Sequence, residues 1–249
     1  MATYVISDLH GQLHIFEKLL EKISFSEDDF LYVIGDAIDR GPDGIAILLK
    51  IMNTPNMELL LGNHEFMMLN TVSPDGSVDE ITGRDSKLWL IANKGISTFE
   101  EYRKLDENRR KELLSWLSSR QLTRLVEVGG KTFCLTHSYF SDDAIEIPYS
   151  ELTYELVRNI VWNTPYRYDI YAPISEYSKK PWTFVIGHVP VQRIMQEVKL
   201  EIFHEENIYV IDGGCAYKAS GNLPDSCCGV ICMRLEDMDV TTLSFSDVQ

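Results

Sequence analysis

The chain has 249 residues, 45% of them apolar, enough for one large α/β domain with its own core. A formal net charge of −15 speaks against a nucleic-acid backbone as partner, because phosphate contacts need lysine and arginine. No run approaches the roughly 18–20 apolar residues that span a bilayer, so no membrane role is expected.

A strand beginning at Thr3 opens the chain and leaves no room for a signal peptide. Its apolar run ends at Ser7-Asp8-Leu9-His10-Gly11. Leu13, Phe16, Leu19, Leu20 and Ile23 then recur at helical spacing. Leu31-Tyr32-Val33-Ile34 is a second buried strand, with Gly35-Asp36-Ala37-Ile38-Asp39-Arg40-Gly41 at its C-terminal tip. Ile45, Ile47, Leu48, Leu49 and Ile51 mark a second helix over 44–52, stopped before Pro55. Two strand–helix steps in succession predict a mainly parallel sheet. The third strand, Leu59-Leu60-Leu61, ends at Gly62-Asn63-His64-Glu65. Residues 66–122 hold no strand-like run and read as a helical insertion, with the stretches around Trp89 and Trp116 facing the core. Residues 124–128 and 131–135 flank Gly129-Gly130 as a hairpin, and His137 follows its second strand. Residues 138–182, rich in tyrosine and carrying Pro148, Pro165, Pro173 and Pro181, are expected to be irregular and to line a cleft. The strand 183–186 ends at Gly187-His188. Beyond it, 208–211, 229–235 and 240–245 are expected to be antiparallel strands of a second sheet. No linker or repeat divides the chain, so 1–249 is expected to be a single domain.

The strand tips carry the chemistry. Asp36, Asp39 and Arg40 crowd two carboxylates and a guanidinium into one tight loop. A divalent metal on Asp36 offsets that charge and leaves Arg40 free for an anion. Asp8 with His10, Asn63, His137 and His188 end the other apolar runs. Open α/β sheets bind ligands beyond the carboxyl ends of their strands, so these residues point to one crevice. The negative chain repels an anionic substrate, and local metal charge must dominate there.

Asp8-Leu9-His10-Gly11, the Gly35–Gly41 loop, Gly62-Asn63-His64-Glu65, His137 and Gly187-His188 occur in this order over residues 8–188. Together they resemble the motifs of the calcineurin-like metallophosphoesterases. Within that family they look like the phosphoprotein phosphatase branch, nearest its bacterial and lambda-phage-type serine/threonine protein phosphatases. Glu65-Phe66-Met67-Met68, Val161-Trp162-Asn163 and Tyr209-Val210-Ile211-Asp212 also look like that group. The resemblance implies an α/β fold, a four-layer β-sandwich flanked by helices. It implies two divalent metal ions, Mn²⁺ first, with Fe or Zn²⁺ suiting the same oxygen and nitrogen ligands. Asp36 would bridge them, Asp8 and His10 would complete one site, and Asn63, His137 and His188 the other. His64 would be the general acid, oriented by Asp39, and Arg40 and Asn63 would contact the substrate. A hydroxide shared by the metals would attack phosphorus in line. A second phosphate-binding arginine is expected after Trp162-Asn163; Arg167 is the candidate, in a stretch that departs from the family pattern, as His137-Ser138 also does. Glu65 is expected to act through hydrogen bonds, and His14 and His204 match no motif.

The implied reaction is hydrolysis of phosphomonoesters. Phosphoserine or phosphothreonine in protein is the first substrate class, and diadenosine tetraphosphate the second. In the cleft loop Tyr139, Phe140, Tyr149, Tyr166, Tyr168, Tyr171 and Tyr177 are available for stacking on a base. Its basic residues are only Arg158, Arg167, Lys179 and Lys180, and that balance favours protein. Two rival readings exist. Cys228 and Arg234 have the Cys-x5-Arg spacing of cysteine-dependent phosphatases, but the residues between them read as a strand. A scaffold that binds phosphorylated partners without turnover is the other, and such scaffolds usually lose ligands. The cysteines, Cys134, Cys215, Cys227, Cys228 and Cys232, are odd in number and form no paired framework, which points to reduced thiols in a cytoplasm. A zinc site from the last three lacks the usual spacing.

Overall fold

The computed structural model describes residues 1–78, 84–166 and 174–248. Strands β1 (Thr3–Ile6), β2 (Phe30–Ile34) and β3 (Met57–Leu60) run parallel in one sheet, joined by helices α1 (Leu13–Lys22) and α2 (Gly44–Met52). Helices follow: α3 (Asn63–Leu69), α4 (Arg84–Lys87), a π-helical turn at Leu88–Ala92, α5 (Ile96–Lys104) and α6 (Glu107–Ser118). The hairpin β4 (Thr123–Val128) and β5 (Lys131–Thr136) opens a second sheet. Helices α7 (Tyr154–Trp162) and α8 (Ile174–Ser178) lead to β6 (Thr183–Ile186), α9 (Val191–Met195), β7 (Phe203–Glu205) and β8 (Ile208–Val210). Strands β9 (Gly229–Arg234) and β10 (Val240–Ser244) close the chain. The sheets have the orders β10-β9-β1-β2-β3 and β4-β5-β6-β8-β7. This is a mixed α/β architecture of two sheets with helices.

Alternation along the strands of the first sheet sorts their side chains. Tyr4, Ile6, Leu31, Val33 and Leu59 pack with Ile15, Phe16 and Leu19 of α1 and Ile45, Leu48 and Ile51 of α2. Val5, Tyr32, Ile34 and Leu60 share the other core with Phe133, Leu135, Val185 and Ile208 of the second sheet. Both faces are covered, which is why these strands read as continuous apolar runs. Each aliphatic or aromatic side chain so buried contributes about 1.5–3 kcal/mol.

Two expectations are corrected. Strands β9 and β10 do not join β8 in an antiparallel sheet. β9 pairs antiparallel with β1, through Val5 and Met233, and carries β10 on its outer edge. Val230 and Cys232 face the helix-side core while Ile231 and Met233 face the inter-sheet core, so β9 suits a strand covered on both faces. β8 instead lies parallel to β6. Residues 138–182 are also less irregular than expected. Thr153 caps α7 through a hydrogen bond from Leu156 N to its Oγ1 (3.4 Å), and Val157, Ile160 and Val161 form its buried stripe.

The strands β1, β2 and β3 share one direction, as do β5, β6 and β8. Their carboxyl ends deliver Asp8 and His10, Asp36 to Arg40, Asn63 and His64, His137, His188, and Asp212.

Candidate metal centre and active site

The loops at these tips are held in a conformation most side chains avoid. Asp8, His10, Asp36, Asp39, Arg40 and His188 have φ of 53°, 46°, 52°, 71°, 70° and 71°. Each such residue costs about 1–3 kcal/mol, and strain of this kind collects where geometry serves a site. Backbone bonds between loops offset it: Asp8 N to Gly35 O (3.0 Å), His10 N to Asp36 O (2.9 Å) and Gly187 N to His137 O (2.8 Å). Two glycines let carboxylates approach the chain. A Cβ on Gly62 would lie 2.3 Å from Asp36 Oδ1, and one on Gly187 2.2 Å from Asp8 Oδ2. The same oxygens accept hydrogen bonds from His64 N and His188 N, each at 3.0 Å.

Asp36 presents its two oxygens to two groups. Oδ1 lies 3.5 Å from His137 Nε2. Around that point, Asn63 Oδ1 is 3.0 Å from His137 Nε2 and 2.9 Å from His188 Nδ1, and the two ring nitrogens are 3.1 Å apart. Oδ2 lies 3.9 Å from His10 Nε2 and 3.7 Å from His64 Nε2. His10 Nε2 is also 4.0 Å from Asp8 Oδ1, a buried oxygen with no hydrogen-bond partner. Nδ1 of His10 contacts Ile38 O (3.2 Å) and Nδ1 of His137 contacts Ile34 O (3.0 Å). Carbonyls accept only, so both Nδ1 atoms carry the proton and both Nε2 lone pairs face the crevice. Metal–ligand bonds of about 2.0–2.2 Å set neighbouring ligand atoms some 3 Å apart; Asn63, His137 and His188 show that spacing, while the atoms around His10 lie wider, at 3.7 to 4.0 Å. Two cation positions sharing Asp36 fit the residues present. Among the described residues the candidate metal groups are His10, Asp36 and His64, and Asp36, His137 and His188; none contains a cysteine.

Burial sets the protonation. Desolvation, helped by the charges of Asp212 and Asp36, pushes the Asp8 carboxyl well above its usual range. Desolvation and then Glu65 do the same to Asp36. Burial drives His10 and His64 well down and His137 to about 4. Neutral imidazoles are the ligand form, and crowded buried carboxylates are what a cation relieves.

Beside this centre, His64 Nδ1 lies 2.6 Å from Asp39 Oδ2. The same oxygen accepts from the Trp89 indole (2.7 Å), and Thr98 Oγ1 accepts from Asp39 N (2.9 Å). Burial raises Asp39 to about 7, against the hydrogen bonds that lower it. Glu65 takes no part in either metal group. Its carboxylate accepts from Ala37 N (2.8 Å), Asp36 N (2.9 Å) and Gly62 N (3.0 Å), tying the β2 tip to the β3 tip. Arg40 is half-buried, with its Nε unpartnered.

His10, Asp36, Arg40, Asn63, His64 and His188 line a cleft of about 430 Å³ whose walls include Trp162, Tyr166, Arg193, Asp212 and Tyr217. Asp8, His10, Asp36, Asp39, Arg40, Asn63, His64, His137 and His188 are thus brought together, while Arg167 lies outside the described residues. Three contributors were not singled out from the sequence. Asp212 ends the stretch Tyr209-Val210-Ile211-Asp212, which carried the family resemblance but was given no role in the site. Arg193 follows His188 in an unremarkable stretch. Trp89 read as core, and it is fully buried, yet its N–H is spent on Asp39. Some stacking candidates are core instead: Phe140 and Tyr177 pack on each other and on Phe184 of β6, with Phe140 and Tyr177 centroids 5.1 Å apart. Tyr168 and Tyr171 lie outside the described residues. His14 bonds Val248 O and His204 stacks on Tyr209, both away from the cleft. Cys228 is buried and leads directly into β9, and burial raises its thiol to about 11; no phosphate-cradling loop follows it.

The calcineurin-like phosphoesterase family model matches residues 1–217. The chain belongs to that family. It is 33% identical over 140 residues, 55% of the chain and 44% of the relative, to a symmetrical bis(5'-nucleosyl)-tetraphosphatase of Acidovorax sp. (strain JS42). It is 28% identical over 144 residues, 57% of the chain and 61% of the relative, to serine/threonine-protein phosphatase 2 of Salmonella typhimurium. The chain thus spans about half the length of the curated relatives it matches. The solved metallophosphoesterase from Sphaerobacter thermophilus shares the fold, with a TM-score of 0.54 at 15% identity over 98% of this chain and 88% of that one. Among the described residues no helix is long and apolar enough to cross a membrane.

Proposed function

We propose that the chain is a metal-dependent hydrolase of phosphoesters, with Asp36 as the ligand shared by two divalent ions. The observation that carries this reading is the division of the Asp36 oxygens between two ligand groups, at 3.5 Å from His137 and 3.9 Å from His10. Divalent ions bound there would supply positive charge to the phosphoryl oxygens and activate a water for attack on phosphorus. Asp8 and His10 would hold one ion and Asn63, His137 and His188 the other; Mn²⁺ is the ion we favour, and Fe or Zn²⁺ suits the same donors. Arg40 grips the phosphoryl group with its guanidinium fork, beside Asn63. His64 gives a proton to the leaving oxygen from Nε2, while Asp39 holds its Nδ1 and stabilises the imidazolium. Trp89 in turn fixes Asp39.

The finer reading is the substrate. A dinucleoside polyphosphate is supported by a second guanidinium, Arg193, and by Trp162, Tyr166 and Tyr217 on the cleft walls. That reverses the order drawn from residues 138–182 alone, where cations were scarce. Phosphoserine or phosphothreonine in protein is the second reading. It is supported by an adjoining groove of Phe66, Met67, Leu88 and Tyr154 that shares Trp162 with the cleft and suits the side chains of an extended peptide. The test begins with p-nitrophenyl phosphate: activity is expected to vanish with a chelator and return with Mn²⁺. Then kcat/KM is compared on diadenosine tetraphosphate, a phosphothreonine peptide and a phosphotyrosine peptide. A preference above about tenfold for the phosphothreonine peptide, about 1.4 kcal/mol at the transition state, would reject the dinucleotide reading. Binding of a phosphopeptide without any turnover in Mn²⁺ would favour the scaffold.

A further inference from the structure

We propose that Arg193 and Tyr217 form a second anion subsite in the cleft, which holds a phosphoryl group bonded next to the one being cleaved. This rests on the phosphoesterase reading and assigns a specificity residue within it. Arg193 and Tyr217 line the cleft with Arg40. Neither guanidinium has a hydrogen-bond or ion-pair partner among the described residues, although the chain holds 38 acidic residues against 23 basic ones. An unpaired arginine on a concave wall of an acidic protein is poised for an anion from outside. Burial and then the Asp212 charge raise the Tyr217 hydroxyl, and the charges of Arg193 and Arg40 oppose that shift, so both guanidinium groups act on Tyr217. Asp212 is the acid on the same wall, and its carboxylate already accepts from Gly214 N at 2.9 Å.

The subsite is built rather than incidental. Gln192, beside Arg193 on α9, donates its amide to Gly213 O (3.1 Å) and Cys227 O (2.8 Å), and Val191 N bonds Asp212 O (3.0 Å). These bonds tie α9 to the turn that leads into Tyr217. Gly214, at φ 80°, sits between them: a Cβ there would meet the Tyr217 ring at 2.8 Å and Gln192 Oε1 at 2.9 Å. Glycine thus lets the ring and the amide close on one backbone position. A monoester occupies the metal centre and Arg40 and leaves Arg193 idle. A second phosphoryl group gives Arg193 a bidentate partner and Tyr217 an acceptor for its hydroxyl.

The experiment compares wild type with Arg193→Ala and Arg193→Lys. Calorimetry with methylenediphosphonate, a pyrophosphate analogue whose P–C–P bridge cannot be hydrolysed, and with inorganic phosphate, in Mn²⁺, reads binding without turnover. The diphosphonate is expected to bind wild type more tightly than phosphate, and Arg193→Ala to shrink that ratio at least fivefold, with partial recovery in Arg193→Lys. In parallel, the ratio of kcat/KM for diadenosine tetraphosphate to that for p-nitrophenyl phosphate is expected to fall at least tenfold in Arg193→Ala, through KM. A phosphopeptide with acidic neighbours is the third arm. Unchanged ratios in both assays overturn the proposal, and so does an effect confined to the acidic peptide, which would make the subsite one for carboxylates. Failure of wild type to turn over p-nitrophenyl phosphate would count against the phosphoesterase reading alone, since the diphosphonate binding ratio still tests Arg193.

Discussion

Replacing Glu65 by glutamine should loosen the whole centre without removing a ligand. Both Glu65 oxygens face N–H donors only: Oε1 accepts from Ala37 N (2.8 Å) and Ile38 N (3.4 Å), Oε2 from Asp36 N (2.9 Å) and Gly62 N (3.0 Å). The carboxylate is therefore the form that fits, although burial raises its proton affinity and Asp39 adds to that. An amide keeps one acceptor oxygen and turns an NH₂ toward the other pair of donors. The least costly orientation gives up the Ala37 and Ile38 side, one full charge-assisted bond and one weak one. Hydrogen bonds to charged groups are worth about 1.5–3 kcal/mol each, so the loss is about 3 kcal/mol. For a domain of this size that lowers Tm by about 6–12 °C. The assay is thermal unfolding of Glu65→Gln against wild type with chelator present, so that lost metal adds nothing. A Tm within about 2 °C of wild type would refute the reasoning.

Three further outcomes follow from the same geometry. His64→Asn should keep its metal but lose kcat by about 10²–10⁴-fold, with the smaller loss on p-nitrophenyl phosphate, whose leaving group needs little protonation; equal losses on both substrates would remove His64 from the acid role. Trp89→Phe deletes the 2.7 Å bond to Asp39 and should lower kcat by about tenfold, more on a poor leaving group than on a good one; a purely structural role would lower both alike. Alkylation of thiols at pH 8 should leave activity intact, because Cys228 is buried and its thiol is raised to about 11; inactivation prevented by phosphate would reopen the cysteine mechanism.

Much of this was legible because the chemistry sits where local patterns end. Apolar runs such as 31–34 mark a strand covered on both faces, and the polar residue that stops each run must lie at a tip. The helices α1 and α2 were visible in their buried stripes for the same reason. What sequence could not supply was partnership across long separations. Val230 to Met233 read as a strand, but its place beside β1 is a choice among sheet edges that hydropathy does not rank. The Trp89 indole is 50 residues from Asp39, and nothing in the chain's periodicity sets a core tryptophan apart from one that holds a carboxylate. Gly95 hints at it only in retrospect, since a Cβ there would meet the Trp89 ring at 2.6 Å. Arg193 is exposed and aperiodic, so only the fold reveals that it lines the cleft.

The central claim is that one carboxylate, Asp36, organises two cations. Calorimetric titration of chelator-stripped protein with Mn²⁺ tests it most directly. Wild type should bind two ions per chain, and Asp36→Asn should weaken both, because the amide carries no charge and leaves one oxygen to serve two groups. A single ion in wild type, or an Asp36→Asn variant that still binds two with unchanged affinity, would contradict the account.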